Sequence, residues 1–359
     1  MTRRSARLAH LAAIAVAAAI LPVGQPRAAA RTTLDIYFID VEGGQSTLIA
    51  TPAGETLLVD TGFPGSGTFD ALPGDPAKAR DAQRIVAAAR DAGVAHIDYL
   101  LTTHFHADHD GGVVELAPLL PIRTFIDHGR VLPAAEETSR GTLAAFDRYA
   151  AVRAKGRHLE PAPGDRIPLK GVEAIVVSAA GATLKTPLPG AGAKTDGCGD
   201  AAPAQEPHEN PRSTGVRLQF GRFRFLDLGD LTGPPLHALA CPATLIGPVE
   251  VYLIAHHGGL DAADASTLAA FRPRVSIVNN GAIKGGAPEM FKTLRGSTDA
   301  GDVYQLHRSQ SAGPANFADE RIANLDESTA HWIKVSAGSD GSFTVTNGRT
   351  GQTKRYAPR

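Results

Sequence analysis

Between residues 104 and 109 the chain reads His104-Phe105-His106-Ala107-Asp108-His109, three imidazoles and a carboxylate in six positions, and Asp110-Gly111-Gly112 follows directly. The whole chain has only 13 histidines in 359 residues. The preceding Asp98-Tyr99-Leu100-Leu101-Thr102 reads as a buried strand, so His104 and His106, two residues apart, leave its end pointing the same way and can share one metal ion. Asp108 and His109 follow as the chain turns and offer donors to a second. Asp110-Gly111-Gly112 reads as an N-cap and tight entry into a helix through Val114, Leu116 and Leu119. A loop of surface histidines is the plain alternative, and the ordered His-x-His-x-Asp-His spacing at a strand terminus argues against it.

Composition sets the frame for such a site. With 43% hydrophobic and 20% charged residues the chain can bury a substantial core. Lys and Arg number 36 against 37 Asp and Glu, so the overall charge gives no support to a nucleic-acid partner or an anionic membrane surface. Residues 1–30 are read as a secretory signal peptide: Arg3, Arg4 and Arg7 precede an apolar run from Leu8 to Leu21, and Ala28-Ala29-Ala30 suits cleavage. A membrane anchor needs about 20 apolar residues, and Pro22, Gly24 and Pro26 end this run too early. Arg3-Arg4 also hints at a twin-arginine signal, which the residues after it fit poorly. Residues 31–359 are then one exported domain, periplasmic or secreted. In an oxidising compartment Cys198 and Cys241, which lack Cys-x-x-Cys spacing, are expected to form one disulfide, two free thiols being the alternative.

Along the mature chain, strand-like runs at 34–41, 46–50 and 55–60 form a meander, followed by a Gly/Pro-rich loop and a helix from about Ala79 to Ala92. Further strands are expected at 122–127 and 172–178, and a helical stretch at 136–154. Residues 181–211 read as one long Gly/Pro-rich surface loop that either shapes the substrate pocket or is a plain linker. A hairpin of 215–220 and 222–228 ends in Gly229-Asp230, and a buried strand at 249–255 ends in His256-His257-Gly258-Gly259. A helix at 266–271, a strand at 275–278 and a closing hairpin at 332–335 and 342–346 precede a polar tail.

Four separated signals therefore stand in order: Leu57-Leu58-Val59-Asp60-Thr61-Gly62, the histidine run, Leu228-Gly229-Asp230-Leu231, and His256-His257-Gly258-Gly259. Together they resemble the metallo-β-lactamase superfamily over nearly all of the mature chain to about residue 280. Asp40-Val41-Glu42-Gly43-Gly44-Gln45-Ser46, the stretch 210–218 and the His-His-Gly ending look most like the hydrolase domain of bacterial DNA-uptake (competence) channels, and like phosphorylcholine esterase. The resemblance implies a four-layer αββα sandwich, an α/β (α+β) fold, with a dinuclear metal site at the sheet edge. Carried over, His104 and His106 would bind the first metal, Asp108 and His109 the second, and Asp230 would bridge them. His256, nearer the strand, is the favoured last ligand of the second metal, with His257 beside it or at the substrate. Asp60 is expected as a hydrogen-bond partner and not a ligand.

Many members carry a histidine before the Gly-Asp hairpin to complete the first metal. Here His208 stands nearby and Asn210 matches the asparagine of the DNA-uptake relatives, so the third donor is His208, Asn210 or none. His128 either faces the site or is a solvated loop residue, and His158, His237, His307 and His331 read as structural. Imidazole and carboxylate donors without thiolate suit zinc, two per chain, with manganese or iron as chemical alternatives. A paired site lowers the pKa of a bridging water to about 7, and the chain offers no Gly-x-Ser-x-Gly elbow or other nucleophile. Asp108 and Asp230 would orient that water and His257 would serve as general acid. The expected activity is hydrolysis of a small-molecule phosphodiester or other ester, with a lactonase or β-lactamase activity as the first alternative. An iron-dependent oxidoreductase is the alternative from another class.

Overall fold

The computed structural model of the chain describes residues 32–199 and 208–359. The expected signal peptide lies outside the described residues. Alternation along the strands dictates the layers, because successive side chains leave a strand on opposite faces. In Leu34–Phe38, Leu34, Ile36 and Phe38 face one way and Tyr37 the other.

The first sheet runs, in spatial order, Thr353–Tyr356, Phe343–Asn347, Ile333–Ala337, Leu34–Phe38, Thr47–Ala50, Thr56–Val59, Ile97–Leu101, Ile122–Ile126 and Arg157–Leu159. The second runs Ile322–Asn324, Asp302–His307, Val275–Val278, Val251–Leu253, Phe223–Asp227, Gly215–Phe220, Glu173–Ala179 and Arg166–Ile167, with Ala182–Thr183 pairing the end of Glu173–Ala179. Their inner faces meet in one core that includes Ile36, Phe38, Ile49, Val59, Leu218, Phe225, Leu253 and Ile277. The outer face of the first sheet carries Leu48, Leu58 and Leu100 against Ala82, Ile85 and Ala89 of the helix Arg80–Asp91 and Tyr149 of the helix Thr142–Arg153. That of the second carries Leu226, Tyr252 and Ile254 against Leu239 of Gly233–Ala240, Phe271 of Ala265–Phe271 and Phe291 of Pro288–Gly296. This is the αββα sandwich. Each such buried Leu, Ile, Val or Phe side chain contributes about 1.5–3 kcal/mol, and a one-residue register slip would exchange inner for outer faces along a whole strand.

Several sequence expectations shift in detail. The helix through Val114 is two single turns, Ala107–Asp110 and Val113–Leu116. Asp110 does not cap it: the residue sits inside the first turn and both its carboxylate oxygens are buried without a hydrogen bond. The stretch at 136–154 breaks at Gly141, whose φ of +88° begins the helix Thr142–Arg153 anew. The polar tail contains an edge strand, Thr353–Tyr356, anchored by buried Tyr356.

The described part of the 181–211 loop is tied down. Leu188 N–H donates to the Leu245 carbonyl, Lys194 bridges Ala243, and Cys198 forms a disulfide with Cys241. Among the described residues no helix is long and apolar enough to cross a membrane.

Candidate metal centre

In each sheet the central strands run parallel, so their carboxyl ends gather at one edge, the place where open α/β sheets bind ligands. Val59 hands over to Asp60, Leu101 to the histidine run, Asp227 to Asp230, and Leu253 to His256 and His257. Close backbone approaches permit this. A Cβ on Gly112 would lie 2.1 Å from the Thr61 carbonyl oxygen, and one on Gly229, whose φ is +56°, would lie 2.7 Å from Thr103 Cβ. Asp60, His256 and His257 hold positive φ values of 60°, 47° and 53°. Side chains other than glycine rarely adopt that conformation, at a cost of about 1–3 kcal/mol each, and such strain gathers at functional sites.

Four side chains converge. One donor atom each from Asp108, His109, Asp230 and His257 lies within 4.8 Å of the others, all buried. His109 Nε2 is 3.2 Å from Asp230 Oδ2, 3.3 Å from Asp108 Oδ2 and 3.2 Å from His257 Nε2. His257 Nε2 is also 3.2 Å from Asp108 Oδ2 and 3.2 Å from Asp230 Oδ1. Alongside, His104 Nε2 and His106 Nδ1 meet at 2.9 Å, and His104 Nε2 is 3.8 Å from Asp230 Oδ2. Asp230 thus lies between two donor groups.

The ring that joins Asp108, His109 and Asp230 is His257, whereas the sequence favoured His256. His256 is displaced because the left-handed turn at both residues sends its ring outward. Its Nδ1 is 2.6 Å from Asp261, its Nε2 is 3.2 Å from Asn210 Nδ2 and 3.9 Å from Asp230 Oδ2, and its side chain is 28% exposed.

The supporting contacts follow the same logic. Asp60 Oδ2 accepts from His109 Nδ1 at 2.7 Å, which leaves Nε2 to face the cluster, and Asp60 also accepts from the Thr103 N–H and hydroxyl at 2.8 Å each. Asn210 Oδ1 is buried without a partner, close to His256, while His208 meets the Asn210 N–H at 3.3 Å. His128 is not a solvated loop residue: its Nε2 is 2.9 Å from Glu209 Oε2, and its ring lies 4.5 Å from that of Phe105.

Glu209 itself was missed by sequence reasoning. Fully buried, it receives the Leu132 N–H at 2.6 Å and the Phe105 N–H at 3.4 Å, binding the end of the 181–211 loop to the histidine run. Lys284, also missed, sets its Nζ 2.5 Å from Asp108 Oδ2. Neither lies in a spaced motif that would have marked it.

Electrostatics matches a cation site. Burial works against charge on both carboxylates, yet Lys284 and His109 hold the Asp108 carboxyl well below the ordinary range, and His109, His257 and His256 do the same for Asp230. Burial likewise disfavours the His109 imidazolium, but Asp230, Asp108 and Asp60 outweigh it and raise its pKa well above the usual value. Burial pushes His106 down to about 4 and His104 well below its usual value, which keeps both rings neutral. Two anionic carboxylates, the neutral rings of His104 and His106, two further imidazoles and no thiolate are the donor chemistry that holds divalent transition metals.

The profile of the family described as "Metallo-beta-lactamase superfamily" matches residues 39–278. Among solved structures, a Cronobacter sakazakii metallo-β-lactamase with a HARLDQ motif is 18% identical over 55% of this chain and 61% of that one, with a TM-score of 0.31. A diphosphatase of the PhnP family is 14% identical over 73% and 81%, TM-score 0.38, and a diiron β-hydroxylase from Streptomyces venezuelae is 15% identical over 68% and 44%, TM-score 0.36. The chain spans 57–61% of the length of the Cronobacter proteins it matches. No curated protein matches the chain in sequence, and the finer likeness to the DNA-uptake hydrolase domain has no counterpart among these matches. Asp60, the histidine run, Asp230 and the His256-His257 pair all fall inside the matched span and meet at one sheet edge, and the chain belongs to the metallo-β-lactamase superfamily.

Proposed function

We propose that this protein is an exported metal-dependent hydrolase acting on a small-molecule phosphodiester or other ester, with zinc as its metal. The observation that carries the reading is the convergence of Asp108, His109, Asp230 and His257 beside the His104–His106 pair. His104 and His106 would hold one ion, Asp108, His109 and His257 the other, with Asp230 reaching both. When bound, such a pair acts as a Lewis acid and supplies a reactive hydroxide near neutral pH. The remaining work falls to the chain's own residues. Asp60 fixes the His109 tautomer, Glu209 holds the Phe105 backbone between the two first histidines, and the buried carboxylates of Asp108 and Asp230 orient a water.

His256 takes the acid role expected of His257, since it stands at the open side. Asp261 holds its Nδ1 at 2.6 Å, which orients the ring at the open side toward a departing oxygen. The disulfide between Cys198 and Cys241 suits an oxidising compartment and supports the exported reading. The test is a hydrolysis screen with chromogenic phosphodiester, phosphomonoester, lactone and cephalosporin substrates, with and without chelator, alongside metal analysis of the purified protein. Chelator-sensitive turnover of bis-p-nitrophenyl phosphate supports the reading. Turnover of cephalosporin alone, or bound iron without any hydrolysis, overturns it.

A further inference from the structure

Lys284 enters the cluster from a loop that carries no motif. Gly281 N–H donates to the Lys284 carbonyl at 2.8 Å, and the loop is fastened to the histidine turn by Gly286 N–H to the His257 carbonyl at 2.8 Å and Ala287 N–H to the Gly258 carbonyl at 2.9 Å. The backbone is therefore fixed beside His257, and the side chain alone decides where the charge sits. Its Nζ donates to Asp108 Oδ2 at 2.5 Å and to the Gly43 carbonyl at 2.8 Å. That same Oδ2 stands 3.3 Å from His109 Nε2 and 3.2 Å from His257 Nε2. One carboxylate oxygen thus faces the ammonium on one side and the two imidazoles on the other.

We propose that Lys284 is a built-in rival of the second metal ion: it neutralises Asp108 until a divalent cation, drawn in by Asp108, His109, Asp230 and His257, displaces it. The proposal rests on the metal-centre reading above. An ammonium and a divalent ion brought to one carboxylate oxygen repel each other, and partial burial leaves this repulsion poorly screened. The lysine has somewhere to go. Its side chain is 26% exposed, so Nζ can turn toward solvent while keeping the flank of the half-exposed Phe69 ring, already 5.8 Å away. Among the described residues no comparable ammonium pairs with a carboxylate at the His104–His106 pair. The Asp108 position therefore carries a charge penalty on metal loading that the His104–His106 position lacks.

The experiment is calorimetric titration of the chelator-stripped full chain with zinc, with native mass spectrometry for stoichiometry. Wild type is expected to take up zinc in two steps. Lys284→Met, which keeps the aliphatic stem, is expected to tighten one step at least tenfold and leave the other unchanged. Lys284→Gln provides a second charge-free form, and circular dichroism verifies the fold of each. Two steps in wild type that neither substitution tightens overturn the proposal while sparing the metal centre. Absence of zinc uptake by every folded form removes the metal centre itself, and this proposal with it.

Discussion

Replacing Asp60 by Asn isolates one hydrogen bond at the heart of the centre. Asp60 Oδ2 lies 2.7 Å from His109 Nδ1 and 2.8 Å from the Thr103 hydroxyl, while Oδ1 accepts the Thr103 N–H at 2.8 Å. Asn has the same shape and tolerates the left-handed backbone at φ 60° as well as Asp does, so the backbone adds no cost. Its amide, however, has only one acceptor oxygen. If that oxygen keeps the Thr103 N–H, the NH2 group faces His109 Nδ1 and drives the ring proton to Nε2, the atom that must meet the metal. A charge-assisted hydrogen bond of this kind is worth about 1.5–3 kcal/mol, and loss of a ligand's supporting partner typically weakens metal binding about 10–100-fold, so the two scales agree. The assay is zinc binding measured against a competing chelator. Asp60→Asn should weaken the site containing His109 by that factor with the fold intact. Affinity equal to wild type at both sites would refute the tautomer argument.

Burial raises the Asp227 carboxyl to about 7, and its Oδ2 has no hydrogen bond while Oδ1 accepts from Gln45 at 2.9 Å and from Gly229 N–H at 3.0 Å. A raised carboxyl favours the fold while neutral, so stability is lost as pH climbs from about 4 to about 7, by up to about 4 kcal/mol. Asp227→Asn should therefore outlast wild type in urea at about pH 8 and lose that advantage toward about pH 4; a gap independent of pH contradicts this. The disulfide closes a span of 43 residues, for which chain entropy gives about 4 kcal/mol. Cys241→Ser should lower the denaturation midpoint accordingly, and reductant should then affect wild type alone. Gly229→Ala places a Cβ 2.7 Å from that of Thr103 at a φ of +56°; a loss of about 2–3 kcal/mol in thermal unfolding, with weaker zinc binding through displaced Asp230, is expected.

Much of the centre could be read from the chain because its chemistry is local. His104, His106, Asp108 and His109 follow one strand within six residues, and Gly229-Asp230 ends a hairpin whose alternation is plain. What could not be read depends on backbone geometry or on distance in sequence. Which of His256 and His257 turns inward is decided by two consecutive positive φ values, which no side-chain pattern encodes. Glu209 and Lys284 meet the histidine run across 104 and 176 residues, through loops whose sequences look like ordinary surface. Asp110 resembled a cap by residue type alone, and the turn that begins one residue after His106 gave it another place. The tail strand Thr353–Tyr356 escaped because only Tyr356 of its four residues is buried, too little to set up an alternation.

The first sheet joins strands far apart in sequence: Leu34 sits opposite Ala337 in an antiparallel pair, and Phe38 opposite Ile333. During synthesis Leu34–Phe38 has one flank hydrogen-bonded to Thr47–Ala50 and the other bare until some 300 further residues have emerged. Bringing such strands together costs about 5 kcal/mol in chain entropy, and a bare strand flank is an invitation to pair with a neighbouring molecule. Truncated chains that stop short of Ile333 should accordingly clump in a way the intact protein does not, so the arrival of Ile333–Ala337 is what protects this fold from its own edges.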